Sequence, residues 1–567
     1  MAVRESVAVQ RATARREGRL ALLLSGVLLL GLFVRLSFVL AADFPLSDGG
    51  LFYAMVRDLQ QAHYRLPVYA SYNSAALPFA YPPLPFYLAA ALDDLLPCGL
   101  LAIFRFLPLL ANLLTMVSFC FLSRTLLSSD GGVFYAGLAF ALLPRSFQWQ
   151  IMGGGLTRSL GLLFAVLGIH QIYLMYTRGG RLHLVAATFA SAATVLSHLE
   201  MAWFLAISAL FFFLACGRSR RGLALSLWVA GGTLALTAPW WAVIVARHGL
   251  EPFVAANQRS WPLYNGLLQL VTLQISGERF FPILAALGLL GALTCLGQRR
   301  WLLPGWLVWI LALDHRSPLT PATLPLALLA GIGVNELLLP ALAGRSGPTS
   351  EPSVQVRVAA SDAGSAAEAG RDPQDPPGGG PTLAPALNTA GGLGAVVLAF
   401  IALYAVCSAV IGDRSYMAAL SPEERQAMDW VAAHTPPTST FAVVTGDEAW
   451  GTDRSSEWFP TLTRRVSVAT VQGHEWAPGF AEQIERYRAL QRCATHNGDC
   501  LESWLRRTGS AIGYLYVVKR APSFGESAAG ADGCLPLREA LSTDARYRLL
   551  YDGPGAAVYG RVNPGTP

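Results

Sequence analysis

Eleven apolar runs divide this chain, near 20–42, 100–122, 133–151, 156–176, 183–197, 201–216, 223–246, 280–297, 301–313, 319–339 and 391–411. A helix needs roughly 20 apolar residues to cross a bilayer, so these runs predict about eleven spanning helices. Composition points the same way: 53% of the 567 residues are hydrophobic and 14% are charged, where a soluble chain carries about 25% charged residues. The expected fold class is mainly α, a polytopic membrane protein with a small C-terminal α/β domain.

Charge sets the expected topology. Residues 1–19 carry Arg4, Arg11, Arg15, Arg16 and Arg19. The apolar run behind them is too long for a signal peptide and is followed by further spans, so it reads as a first transmembrane helix with a cytoplasmic N-terminus. Alternating sides then places Arg124, Arg178 with Arg181, Arg218 with Arg220 and Arg221, and Arg299 with Arg300 on the inside, as short basic loops should be. Five segments fall outside: 43–99, 152–155, 198–200, 247–279 and 314–318. The longest, 43–99, holds an amphipathic stretch (GGLFYAMVRDLQQ) and a proline-marked aromatic one (YPPLPFYLAAAL), both suited to interfacial helices.

Residues 341–389, rich in Gly, Ala, Pro and Ser from 343 onward, have the composition of a disordered cytoplasmic linker. A last span at 390–411 leads outward to 412–567. There SPEERQAMDWVAAH reads as a helix with Ser421 as N-cap and Glu424 as its capping-box partner. Short β-like runs follow (FAVVTG, RVSVATV, IGYLYVVK, YRLLYDG, AAVYG), with a helical stretch near 479–507, giving an extracytoplasmic α/β domain of about 150 residues.

Cys98, Cys120, Cys216, Cys295 and Cys407 lie in or beside apolar runs and read as small hydrophobes. Cys493 and Cys500 bracket ATHNGD and could close a disulfide in an oxidising compartment. Metal-ligand spacing of Cys and His pairs is missing. The net charge of +6 is almost all Arg, since Lys519 is the single lysine. No basic face interleaved with aromatics suggests a nucleic-acid partner.

Charged residues are informative where charge is expensive, and here they gather at the outer ends of the helices. Asp43 and Asp48 follow the first span, Arg158 opens the fourth, His198 and Glu200 occupy the turn between the fifth and sixth, Arg247, His248 and Arg259 follow the seventh, and His315 and Arg316 follow the ninth. A carboxylate among guanidinium and imidazole groups suits a neutral nucleophile and a phosphate leaving group. The plainer reading of each residue is a helix end, or a side chain reaching for lipid headgroups.

SDGGLFYAMVRDLQQAHYRLP, then YPPLPFYLAAAL, then Arg105 in the next helix, resemble the first outer loop of the GT-C glycosyltransferases. These enzymes take sugars from polyprenyl-phosphate carriers and include the lipid A aminoarabinose transferase and protein O-mannosyltransferase families. LTAPWWAVIVARHGLEPFVAANQRS at 236–260 and HRSPLTPATLPLALLAGIG at 315–333 continue the likeness, which covers roughly residues 20–340. It implies a GT-C-like transmembrane domain over 20–340, with Asp48 matching the catalytic Asp, His198 standing where a Lys often sits, and Arg316 matching an Arg near the carrier phosphate. Asp43, His63, Tyr81, Arg105, Arg158, Glu200, Arg259 and His315 complete the expected substrate-binding set.

The chain departs from that pattern in two places. Gly49 stands where an acidic residue is common, and the second outer loop (MGGGLTR) lacks the carboxylate of metal-dependent members, which leaves a divalent metal, Mg or Mn, only weakly supported. The stretch DEAWGTDRSSEWFPTLTRR is similar to the Trp-Trp-Asp region of oligosaccharyltransferases but lacks the motif itself. The expected activity is inverting transfer of a sugar from a polyprenyl-phosphate or pyrophosphate donor to a glycan, lipid or protein acceptor outside the cell membrane, with Asp48 as general base. The alternatives are an inactive GT-C relative serving as a surface binding or assembly protein, and a transporter of lipid-linked substrate; the latter should show inverted repeats, and none is visible.

Overall fold

The computed structural model describes residues 2–257, 263–314, 316–344, 390–411, 417–520 and 532–562. The expected linker beyond residue 344, together with Arg259 and His315, lies outside the described residues. Each of the eleven apolar runs contains a helix. Among the described residues, seven helices are long and apolar enough to cross a membrane: Thr13–Val39 within α1 (Ala2–Val39), α4 (Leu100–Leu126), α6 (Gly155–Thr177), α8 (Leu199–Cys216), α9 (Arg220–His248), the continuous stretch Leu319–Leu342, and Gly394–Ile411. The chain is a multi-pass membrane protein.

Shorter apolar helices α5 (Asp130–Leu142), Ile283–Gly297 and Leu302–Leu313 fill the bundle, with α7 (Arg181–Val195) between α6 and α8. The run 133–151 is not a single helix. α5 stops before Pro144, whose missing N–H cannot continue the ladder, and a 3₁₀ turn, Pro144–Ser146, follows. That turn is held by fully buried Arg35 of α1. Its Nε donates to Asn112 Oδ1 at 2.5 Å, its Nη1 to the Ala141 carbonyl at 2.8 Å, and its guanidinium lies over the Phe147 ring at 4.7 Å. A charge at this depth persists because its donors are matched.

The segment 43–99 folds back as α2 (Gly50–Gln61) and α3 (Leu84–Leu95), with a two-stranded β1 (Tyr69–Ala70)–β2 (Leu77–Pro78) ribbon between them. Leu51, Met55, Val56 and Leu59 of α2 pack against Phe86, Ala89 and Ala90 of α3 and Ile103 and Phe104 of α4. Those spacings are the i, i+4 and i+3 rows of one helix face.

The C-terminal region is a five-stranded sheet, β3 (Thr440–Val444), β4 (Val466–Ser467), β5 (Tyr514–Val518), β6 (Tyr547–Asp552) and β7 (Ala556–Arg561), in the order β4-β3-β5-β7-β6. β3 runs parallel to both β4 and β5, and β7 runs antiparallel to both β5 and β6. Alternation sorts the strands into two cores: Ala442, Val444, Leu515 and Val517 face one side with Leu490, Trp504 and Leu505, while Phe441, Val443, Tyr516 and Val518 face the other with Met428, Val431, Trp458 and Phe459. Sheet and helices thus form an α/β domain. Ser421 caps the helix Pro422–His434 and Glu424 closes the capping box. Cys493 and Cys500 are disulfide-bonded, with Cα atoms 5.6 Å apart.

The two parts of the chain share a core. Phe44 of the segment 43–99 belongs to the second of those clusters, its ring 4.7 Å from that of Trp458. Leu46 pairs with Ala419 in a β-bridge, and Ser47 N–H donates to the Ala418 carbonyl at 3.2 Å.

Candidate active site

Asp48 lies between two glycine turns. Gly49 has φ +123°, a conformation that L side chains rarely adopt, and this sharp bend sets the direction in which α2 leaves. On the other side Gly153 N–H donates to the Leu46 carbonyl at 2.9 Å, bringing the turn at 152–155 against the start of the segment 43–99. The Asp48 carboxylate accepts from Gly154 N–H at 2.8 Å through Oδ1 and from Arg158 Nη2 at 2.9 Å through Oδ2. Arg158 is itself fixed, its Nε donating to the Trp149 carbonyl at 3.1 Å and its guanidinium lying 4.6 Å over the Trp149 ring. Both side chains are largely buried, at 12% and 11% exposure, so the pair is weakly screened.

Asp48 and Arg158 open onto a cavity of about 800 Å³ at the ends of the membrane helices. Tyr81, His198, Glu200 and Arg316 line it as well. His198, in the turn before α8, is half-buried. Desolvation pushes its imidazole down to about 4, Glu200 opposing and Arg158 and Arg316 adding to the effect, so it is neutral at physiological pH. Its Nδ1, and Nε of Arg316, are buried without a hydrogen-bond partner among the described residues. Two unsatisfied nitrogens beside a cavity are the kind of exception that a ligand explains.

Three other expected site residues sit elsewhere. Asp43 is ion-paired with Arg425 and largely exposed. Arg105 donates to the carbonyls of Val39 and Ala42, closing the end of α1. His63 is exposed just beyond α2, with φ +49°. A helix-end position alone does not decide which of these side chains turns inward.

The C-terminal domain supplies the opposite wall, which the sequence reading did not assign to the site. Glu448, Trp450 and Thr452 follow β3, and Glu457, Gln472, Glu475 and Phe480 complete the wall. Glu457 belongs to the helix Arg454–Thr463, whose N-cap Asp453 accepts from Ser456 N–H at 3.3 Å. Burial, and then the Asp48 charge, push the Glu457 carboxyl up to about 8. The sequence signal was DEAWGTDRSSEW, a run of acids and tryptophans after a strand.

Both Asp48 oxygens are engaged by protein donors, and among the described residues no group of three or more His, Cys, Asp or Glu could hold a metal ion. This donor set does not fit a divalent cation, which seeks several oxygen ligands.

No family model matches the chain, and no curated protein matches it in sequence. Solved structures do match it. ArnT from Cupriavidus metallidurans bound to undecaprenyl phosphate superposes with a TM-score of 0.52 at 15% identity, over 96% of this chain and 98% of that one. ArnT from the same organism in the apo state gives 0.50 at 15% identity, over 97% and 98%. At such identity the likeness is one of fold: the chain has an ArnT-like, GT-C-like architecture, with the C-terminal domain included in the match.

Proposed function

We propose that this chain is an inverting membrane glycosyltransferase that moves a sugar from a polyprenyl-phosphate or pyrophosphate donor to an acceptor hydroxyl outside the membrane. The observation that carries the reading is the Asp48 carboxylate in a cavity at the membrane helix ends, facing Arg158, Arg316 and neutral His198. The undecaprenyl phosphate held by the ArnT structure supports the same class of donor for this chain.

In the proposed step the acceptor oxygen forms a bond to the anomeric carbon. The bond from that carbon to the phosphate oxygen breaks, its electron pair staying on phosphate, and the acceptor proton passes to Asp48. Arg158 and Arg316 hold the phosphate as its charge grows, and a ring nitrogen of His198 offers a further hydrogen bond. No step is routed through a metal. The proposed orientation has the N-terminus and the Arg-bearing short loops in the cytoplasm, and the cavity and residues 412–567 outside the cell membrane. An impermeant thiol reagent should label a single cysteine introduced in the C-terminal domain and not one in 345–389; the reverse would overturn the topology.

The function is tested with Asp48→Asn in a reconstituted system supplied with radiolabelled polyprenyl-phosphate sugars. Asn keeps the shape of Asp but takes no proton, so transfer should fall by ~10²–10⁴-fold while thermal melting stays near that of wild type. A fully active variant would sink the general-base role. Wild-type protein inert toward every lipid-linked sugar would leave the inactive-relative reading in its place.

A further inference from the structure

We infer that Glu457, contributed by the C-terminal domain, is a positioning residue for Asp48: it caps the start of α2 from outside and thereby holds the Asp48 carboxylate in the cavity. The inference rests on the glycosyltransferase reading and adds a residue to its site.

The first N–H groups of a helix need acceptors, which a Ser, Thr, Asp or Asn at the N-cap normally provides. α2 begins after Gly49, which has no side chain to offer. Glu457 fills the role across the domain boundary, its Oε1 accepting from Gly49 N–H at 2.8 Å. The surrounding backbone is locked to the same helix. Trp458 Nε1 donates to the Ser47 carbonyl at 3.0 Å, Thr461 Oγ1 to the Gly50 carbonyl at 2.8 Å, and Tyr72 OH to the Glu457 carbonyl at 2.7 Å. Residues 47, 49 and 50 are therefore each tied to the helix Arg454–Thr463, and Asp48 is the residue between them whose side chain is left for the cavity.

Glu457 also lines that cavity. The charged and titratable groups facing it are Asp48, itself paired with Arg158, then Tyr72 from the outer loop and Glu475 from the 3₁₀ turn His474–Trp476; Glu448 and Arg488 line the same cavity. Both carboxyls line one cavity, so ionising Glu457 sets a second negative charge against Asp48.

The test compares E457A and E457Q in full-length protein. E457A removes the acceptor and should lower kcat about 10²-fold through lost alignment, with donor KM within about threefold of wild type, as expected when an interaction of the transition state alone is lost. E457Q keeps an oxygen for Gly49 N–H and should lose less. Wild-type activity should fall on the alkaline side of neutrality as Glu457 ionises, and E457Q should remove that fall. Wild-type kcat in E457A, or equal loss in both variants, would overturn the inference while leaving Asp48 as base. A second readout needs no activity: the infrared carboxyl band that disappears in E457Q should titrate at lower pH in an Asp48→Asn background. A band that does not move overturns the pairing. A band that moves in protein unable to use any lipid-linked sugar upholds the pairing and refutes the glycosyltransferase reading.

Discussion

Gly154→Ala adds one methyl group beside the candidate base. A Cβ built there lies 2.4 Å from Asp48 Oδ2, 2.7 Å from its Cγ and 2.9 Å from Oδ1. Ordinary contact between such atoms is near 3.5 Å, so the carboxylate has to retreat by about 1 Å. That retreat pulls Oδ1 away from Gly154 N–H and Oδ2 away from Arg158, bonds now 2.8 and 2.9 Å long. The backbone itself accepts alanine, since Gly154 has φ −67° and ψ −9°. The atom that must move is the far end of a side chain, so the fold should survive, with less than ~1 kcal/mol lost at the start of α6. Displacement of a reacting group by 1 Å can cost about 10²-fold in rate. The assay is transfer from a radiolabelled polyprenyl-phosphate sugar, with melting followed in parallel. Gly231→Ala in α9, where an added Cβ has nothing within 4 Å, is the control. Wild-type kcat in Gly154→Ala would refute the claim that this carboxylate must stand where it does.

Stability should fall with rising pH through Glu457. Its carboxyl, ordinarily near 4.5, is raised to about 8 in the fold, so folded protein holds a proton that the unfolded chain has released. The contribution is complete below the lower value, declines across the window and is lost above the higher one; melting of wild type against E457Q over that range checks it, and identical slopes would contradict the assignment. Replacing Cys493 and Cys500 with Ser opens a loop spanning seven residues of sequence separation and should cost about 2.5 kcal/mol by chain entropy, read as a lower unfolding midpoint of the C-terminal domain. An unchanged midpoint would show that packing of the buried Cys493 side alone holds that turn.

Legibility in the sequence followed the range of the physics. Apolar runs read as helices because crossing a bilayer is a local demand on length and hydropathy, and the one broken run, 133–151, carries its cause in Pro144. Ser421 with Glu424 was readable for the same reason, since a cap and its partner lie three residues apart. Asp48, Tyr81, Arg158, His198, Glu200 and Arg316 converge on the cavity, and most of them carried a visible signal in charge placed at the ends of spans. Asp43 carries that signal too, yet it pairs with Arg425 and stays largely exposed, while Arg105 closes the end of α1. Which way a side chain turns depends on neighbours from other elements. Glu457 had only the mark of its acid- and tryptophan-bearing stretch, because its partner is a backbone N–H group 408 residues away.

That separation bears on the order in which the molecule comes into being. A chain is made from its N-terminus, so Asp48 leaves the ribosome when only the first span and the start of its loop exist, and the residues that brace it arrive last. Throughout the insertion of the intervening helices, the turn at Gly49 waits without the Glu457 acceptor and without the Trp458 and Thr461 donors. Competence is thus conferred on a finished molecule. A product truncated before residue 440 would retain its helices in the bilayer while its outer loop stayed unbraced, a quality check written into the connectivity of the fold.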